Sequence, residues 1–205
     1  MVLQETPDYA PHAKWFGPID IVCLRNVTFD PVRAEAIRKA GKELWIYCSG
    51  PSFPYPTLVI DYPTMAYRIL PWMCWRYRAT GLLYWCVNFW TKNPYLEAMN
   101  TPWRQYGNGS LFYPGPEGPV GSIRLELLRD GIEDYDMLAI LSDRIANAKQ
   151  EGSIPAEVMQ RAEKVLNDAE AFVPSMRDYP REPARLYELR NRIAEAIVAL
   201  KDGTR

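Results

Sequence analysis

Three short, nearly unbroken apolar runs mark the first half of the chain: Ile19-Asp20-Ile21-Val22-Cys23-Leu24, Leu44-Trp45-Ile46-Tyr47-Cys48 and Gly81-Leu82-Leu83-Tyr84-Trp85-Cys86-Val87. Runs this short, without polar alternation, are the pattern of parallel strands covered on both faces. Helical signals lie between them. Asp30 offers an N-cap and Pro31 a first helical position, which predicts a helix over 32–40, stopped by Gly41. Pro63 opens a second helix through Arg78, which Pro71 is expected to kink or split. A long segment rich in Gly, Pro, Asn and aromatics, 88–121, reads as loop. Ser122 then begins a long helix over 123–150, with Leu127, Leu128, Ile132, Tyr135, Leu138 and Leu141 among its apolar positions and Gly131 weakening its middle. Pro155 opens a helix to about Phe172, and Pro183 opens a last one carrying Leu186, Leu189, Ile193, Ile197 and Leu200. Residues 1–18, punctuated by Pro7, Pro11, Gly17 and Pro18, read as loop. The chain therefore divides into an N-terminal loop segment (1–18), three β/α units with a long aromatic loop (19–121) and a helical C-terminal extension packed on them (122–205).

The order β-α-β-α-β followed by helices is an α/β fold. Right-handed crossovers put helices over the sheet, but three strands alone leave pairing edges open. An open nucleotide-binding sheet needs a glycine-rich phosphate loop between a strand and the next helix, and none stands there. The alternative is a set of parallel β/α units forming the last part of a TIM-type (β/α)8 barrel, followed by C-terminal helices. Polar and aromatic residues then belong at the C-terminal strand ends. Arg25-Asn26, Tyr47-Cys48-Ser49 and Asn88-Phe89-Trp90 hold those places.

Composition narrows the chemistry. Over 205 residues, 48% hydrophobic and 24% charged content are ordinary for a globular chain. With 24 basic and 25 acidic side chains there is no excess of charge to grip a phosphate backbone, so no nucleic-acid partner is expected. No apolar run reaches the ~20 residues of a membrane span, so no membrane partner is expected either. The first residues lack the basic and apolar regions of a signal peptide, which implies a cytoplasmic chain or one made without its export signal. Four widely spaced cysteines and a single histidine, His12, make a zinc site or a His-based nucleophilic site improbable, and the thiols are expected to be buried and reduced. No cofactor and no metal are implied. The 7 Trp, 13% aromatic content and 18 Pro suit a sugar site on stiff loops, and equally a heavy core.

All three strand segments, and two stretches beyond them, carry a family resemblance. Ile19-Asp20-Ile21, Gly41 to Tyr47 and Gly81 to Trp90, then Gly107-Asn108-Gly109-Ser110-Leu111-Phe112-Tyr113-Pro114-Gly115 and Ser122 to Tyr135, resemble the second half of the catalytic barrel of glycoside hydrolase family 123 and its DUF4091 relatives. That resemblance implies a β-N-acetylgalactosaminidase-like or β-N-acetylhexosaminidase-like hydrolase in which the substrate's acetamido group is the nucleophile. An adjacent Asp-Glu pair orients that group and supplies the general acid/base. No Asp-Glu dipeptide occurs in this chain, and Glu133-Asp134 has the reverse order within a helix. No catalytic residue is therefore assigned, and the isolated chain is expected to be inactive.

The candidate substrate-binding residues are Tyr47, Tyr84, Trp85, Asn88 and Trp90, whose ring faces and amide suit an N-acetylated sugar or glycan. Tyr47 and Trp90 are expected to be partly exposed neighbours on one rim, with Tyr84 and Trp85 more buried. Phe53, Tyr55 and Tyr62 offer a cleft wall or a rim cap, and Asn108 and Tyr113 a lid or a structural loop. Glu126, Arg129, Asp130, Glu133, Asp134 and Asp136 look like a carboxylate cluster but read better as salt bridges on a solvated helix face, while Arg124 is placed to tie its helix to the rim. Two functions stay open: the C-terminal part of a glycoside hydrolase supplying sugar-binding walls, or a non-catalytic carbohydrate-binding or assembly module. Open strand edges imply self-association or an upstream barrel half as partner.

Overall fold

The computed structural model describes residues 2–4, 18–50, 52–97, 106–152 and 154–202. Four strands, β1 (Val2–Gln4), β2 (Ile21–Arg25), β3 (Glu43–Tyr47) and β4 (Gly81–Leu83), form one parallel sheet in sequential order. The fold is α/β, as expected. β1 corrects the reading of 1–18 as loop: a three-residue strand is too short to show a period, and its pairing with Ile21 to Cys23 is visible only in three dimensions. Most of that segment, His12 included, lies outside the described residues.

Register places Val22 beside Leu44 and Leu24 beside Ile46, all on one face. The helices α1 (Pro31–Lys39) and α2 (Met65–Tyr77) cover that face with Ala34, Ile37, Ile69, Trp72 and Met73. The opposite face carries Cys23 and Tyr47, both buried, and Ile21, Trp45 and Leu83, half-buried. α1 starts where expected: Asp30 accepts the Val32 N–H at 2.9 Å, and Gly41 follows the helix with φ +71°.

α2 runs through Pro71 as one helix rather than splitting there. It is buried from Met65 to Trp75, since α3 (Ile123–Glu151) packs across it. The crossing point explains Gly131. A Cβ there would lie 2.5 Å from the Arg68 carbonyl oxygen and 3.1 Å from two Pro71 ring carbons. The glycine that weakens the helix in isolation is what lets the two backbones approach. Ser122 caps α3 by accepting the Leu125 N–H, and Gly152 ends it in the left-handed conformation. α4 (Ala156–Ala171) and α5 (Pro183–Asp202) close the helical layer, with Arg144 donating to the Ile197 carbonyl at 2.7 Å. Among the described residues no helix is long and apolar enough to cross a membrane.

Two further expectations need correction. The third strand stops at Leu83 instead of Val87, because its neighbour β3 ends at Tyr47 and the last rung is Cys48 N–H to Leu83 C=O at 3.3 Å. The segment expected as loop over 88–121 contains a hairpin, β5 (Phe112–Pro114) and β6 (Pro119–Gly121), closed by Gly115 N–H to Gly118 C=O at 3.0 Å.

Candidate functional site: an aromatic shelf at the strand ends

Arg25, Tyr47 and Leu83 are in register, so the chain leaves three neighbouring strands at one level. Beyond Leu83 the backbone abandons the sheet and pairs with the segment Gly107 to Phe112 instead. Val87 C=O accepts from Leu111 N–H at 2.7 Å and Phe112 N–H at 3.0 Å, and Phe89 N–H donates to Gly109 C=O at 2.8 Å. Asn88 and Ser110 form an isolated antiparallel bridge.

This exit turns the side chains differently from a continuing strand. Tyr84 points its hydroxyl inward, donating to Asn108 Oδ1 at 2.9 Å and accepting from Gly109 N–H at 2.7 Å. Burial pushes its phenol well above the ordinary value. Trp85 Nε1 donates to the same Asn108 oxygen at 3.0 Å, yet its ring is 37% exposed. Phe89, 40% exposed, lies beside it with ring centroids 5.0 Å apart. The indole seats on Gly109, whose φ is +80° and where a Cβ would come within 2.4 Å of Trp85 Cζ2. Two ring faces are thus held on a shelf by a turn that tolerates no side chain beneath them.

The expected exposures are partly reversed. Tyr47 is buried, at 8%, because it closes the end of β3 behind the loops. Trp85 is exposed, because the sheet alternation that would bury it has ended at Leu83. Tyr84 is half-buried. Trp90 is half-buried and its Nε1 is committed to the Phe112 carbonyl at 2.7 Å, while Asn88 is exposed and accepts from Cys86 Sγ at 3.5 Å. The structure therefore gathers Tyr84, Trp85, Asn88 and Trp90 around one turn. Phe89, absent from the candidate residues, belongs with them. Its place in the Asn88-Phe89-Trp90 triplet was the available signal.

Arg124, 2% exposed at the start of α3, holds that turn from below. Its Nη1 donates to the Leu58 carbonyl at 2.5 Å and the Gly107 carbonyl at 2.6 Å. Its Nη2 donates to the Ser110 carbonyl and, at 3.1 Å, to the Tyr113 hydroxyl. Helix α3 is thereby tied to the rim, as expected. Asn108, 3% exposed, and Tyr113 are parts of this support and not a lid. Of the proline-loop aromatics, Tyr62 receives the Ser52 N–H at 2.6 Å, Tyr55 packs on the main core and Phe53 stands 75% exposed under the Arg181 guanidinium.

The carboxylates of α3 divide in two. Arg129 bridges Glu126, Asp130 and Glu133 on an exposed face. Asp134 does not belong to that solvated face: it is 1% exposed. It accepts from Arg68 Nε at 2.8 Å and Nη2 at 3.0 Å, from Trp72 Nε1 at 3.1 Å and from Arg190 Nε at 2.7 Å. Helical spacing alone groups it with Asp130. The α2 crossing at Gly131 puts it against Arg68 instead. Among the described residues no three His, Cys, Asp or Glu side chains gather as a metal site. Cys23, Cys48 and Cys74 are buried free thiols, pushed up by burial to about 11, about 12 and about 12.

No curated protein matches the chain. The family model for the catalytic domain of glycoside hydrolase 123 matches residues 17–141. That span runs from β2 through the aromatic shelf to the middle of α3, and covers more than half of the 205 residues. With its parallel β/α order and its shelf at the strand ends inside the match, the chain belongs to the glycoside hydrolase 123 catalytic-domain family.

Proposed function

We propose that the chain supplies the sugar-binding wall of a glycoside hydrolase barrel acting on β-linked N-acetylhexosamine glycans, N-acetylgalactosamine among them. The observation that carries this is the exposed Trp85–Phe89 pair fixed over Gly109 at the C-terminal end of parallel strands. (β/α) barrels bind ligands on that rim, and aromatic faces stack on the apolar faces of sugar rings. The exposed Asn88 amide is the polar group placed to bond an acetamido or hydroxyl group, since the Tyr84 hydroxyl and the Asn108 oxygen already bond one another. Tyr84 is a positioning residue here, holding the turn under the rings.

The partial barrel is part of the same proposal. Sequential parallel strands with helices on one face, and half-buried Ile21, Trp45 and Leu83 on the other, fit a sheet that further strands close. In this reading 19–121 is the β/α part and 122–205 the helical extension. The acid/base pair that the chemistry needs is not an adjacent Asp-Glu in this sequence. It comes from residues outside the sequence, on an upstream half or a partner chain, and these residues alone do not hydrolyse the substrate. That same absence favours a second reading for the chain by itself, a non-catalytic carbohydrate-binding or assembly module that self-associates through its strand edges.

Titration with N-acetylgalactosamine, followed by tryptophan fluorescence and calorimetry, tests the binding claim. A saturable change is expected, weakened by about 1 kcal/mol in Trp85→Ala and in Phe89→Ala, the scale of one aromatic contact. Trp90→Ala, which loses a bond to the backbone, should act less through affinity than through stability. No saturable change at high millimolar sugar would refute binding. Turnover of an aryl N-acetyl-β-hexosaminide by the chain alone would refute the claim that catalysis needs more residues.

A further inference from the structure

A cleft of about 300 Å3 lies between α1 and the last turn of α2, with Glu35 and Arg38 on one wall, Arg76, Tyr77 and Arg78 on the other and Glu170 of α4 at its end. Arg38 is bonded to Glu35 at 2.6 Å, Lys39 stands 3.6 Å from the same carboxylate, and Arg78 is bonded to Glu170. Asp30, beside this wall, is turned to the Val32 N–H. Arg76 is different. Among the described residues it has no carboxylate within ion-pair distance, and its Nε is buried without a hydrogen-bond partner. Its guanidinium rests 5.6 Å from the centroid of the Tyr77 ring.

The Nε is closed to solvent, but the Arg76 side chain lines the cleft without a carboxylate of its own, so the charge it brings there is left uncompensated. The two carboxylates that line the cleft, Glu35 and Glu170, are each held by a base, and the three lining arginines, Arg38, Arg76 and Arg78, outnumber them. Each guanidinium that bonds a carboxylate through one nitrogen keeps further N–H donors. We propose that this cleft binds a tetrahedral oxyanion, a phosphate or sulfate group, with Arg76 as its principal ligand and Arg38 and Arg78 beside it. The planar fork of arginine matches such oxygens two at a time. The cleft's volume of about 300 Å3 admits such a group.

The test titrates the protein with inorganic phosphate and inorganic sulfate, followed by thermal unfolding and by phosphorus NMR for the phosphate arm. A saturable rise in Tm is expected that chloride at matched ionic strength does not give. Arg76→Gln should weaken the apparent affinity about ten-fold or more, the effect of losing hydrogen bonds to a charged group. Arg76→Lys, which keeps the charge but not the fork, should fall between the two. Arg161→Gln, at an exposed ion pair on α4, should bind as the parent does. Glucose 6-phosphate measured against inorganic phosphate identifies the source: tighter binding of the ester means the group is carried on a sugar, equal binding means the free ion, and both support the site. A rise that follows ionic strength whatever the anion, or that persists unchanged in a folded Arg76→Gln, overturns it.

Discussion

Replacing Asp134 by alanine removes a carboxylate shared by Arg68, Arg190 and Trp72. Arg68 is 4% exposed, and burial opposes its charge. The hydrogen bonds and charge of Asp134 outweigh that cost and hold the guanidinium pKa above its ordinary value. Removing one partner of a buried ion pair costs about 3–5 kcal/mol, because the other charge is left uncompensated. Asp130, whose carboxylate is 3.7 Å from Arg68 Nη1, and the Tyr187 hydroxyl, 3.2 Å from the same nitrogen, remain to share the charge. Arg190, with a side chain 34% exposed, can turn to water. The low end follows, a loss of ~3 kcal/mol. For a chain of this size that is a fall of about 6–12 °C in Tm. Urea unfolding of Asp134→Ala gives the free energy directly. A companion variant, Arg68→Met with Asp134→Leu, replaces both charges by apolar groups and should recover about half of the loss or more, since such swaps are often neutral. A loss below about 1 kcal/mol in Asp134→Ala, or no recovery in the double variant, would refute the view that a desolvated charge is the issue.

Three other outcomes follow from the same geometry. Gly131→Ala should destabilise by about 1–3 kcal/mol in urea, because its Cβ would meet the Arg68 carbonyl oxygen at 2.5 Å, although alanine is the better helix former; a gain in stability would show that the helices part freely. Thiol titration with a chromogenic disulfide at neutral pH should find Cys86, half-buried, reacting first, and Cys23, Cys48 and Cys74 only on unfolding; prompt reaction of all four thiols would contradict their burial. Stability should fall at alkaline pH: the buried thiols stay protonated in the fold up to about 11 (Cys23) and about 12 (Cys48, Cys74), against 9.0 as the ordinary value. Above that ordinary value the unfolded chain binds fewer protons than the fold, so this contribution is whole below it and is lost as pH climbs to the folded values; urea midpoints that hold steady from pH 8 to alkaline pH would refute it.

What could be read in advance was local. Asp30-Pro31 and Gly41 bound α1, Ser122 starts α3 and Pro183 starts α5, each through contacts within a few residues. What could not be read depended on partners distant in sequence. The apolar run through Val87 looks like strand to its end, yet Val87 bonds to Leu111 and Phe112, and Phe89 just beyond it to Gly109, and that sets which rings face water. Counting around a helix puts Asp134 with exposed Asp130. The close crossing of α2, permitted by Gly131, decides that it is buried. Of the five candidate sugar residues, the one that ends a sheet strand, Tyr47, is buried, and Phe89, outside that set, is exposed. Parity along a strand is informative only while there is a sheet to alternate against.

Arg124 fastens the rim by gripping carbonyl oxygens at Leu58, Gly107 and Ser110. A carbonyl is the same in every residue, so this anchor does not depend on which side chains the loops carry. Side chains exposed on the shelf can be exchanged while the backbone beneath keeps its path, within the limits set by Gly107 and Gly109. A scaffold fastened in this way separates the shape of an exposed surface from its chemistry. The chemistry of that surface can then change by substitution at positions such as Asn88 and Phe89, with no need to refold the loops that present them.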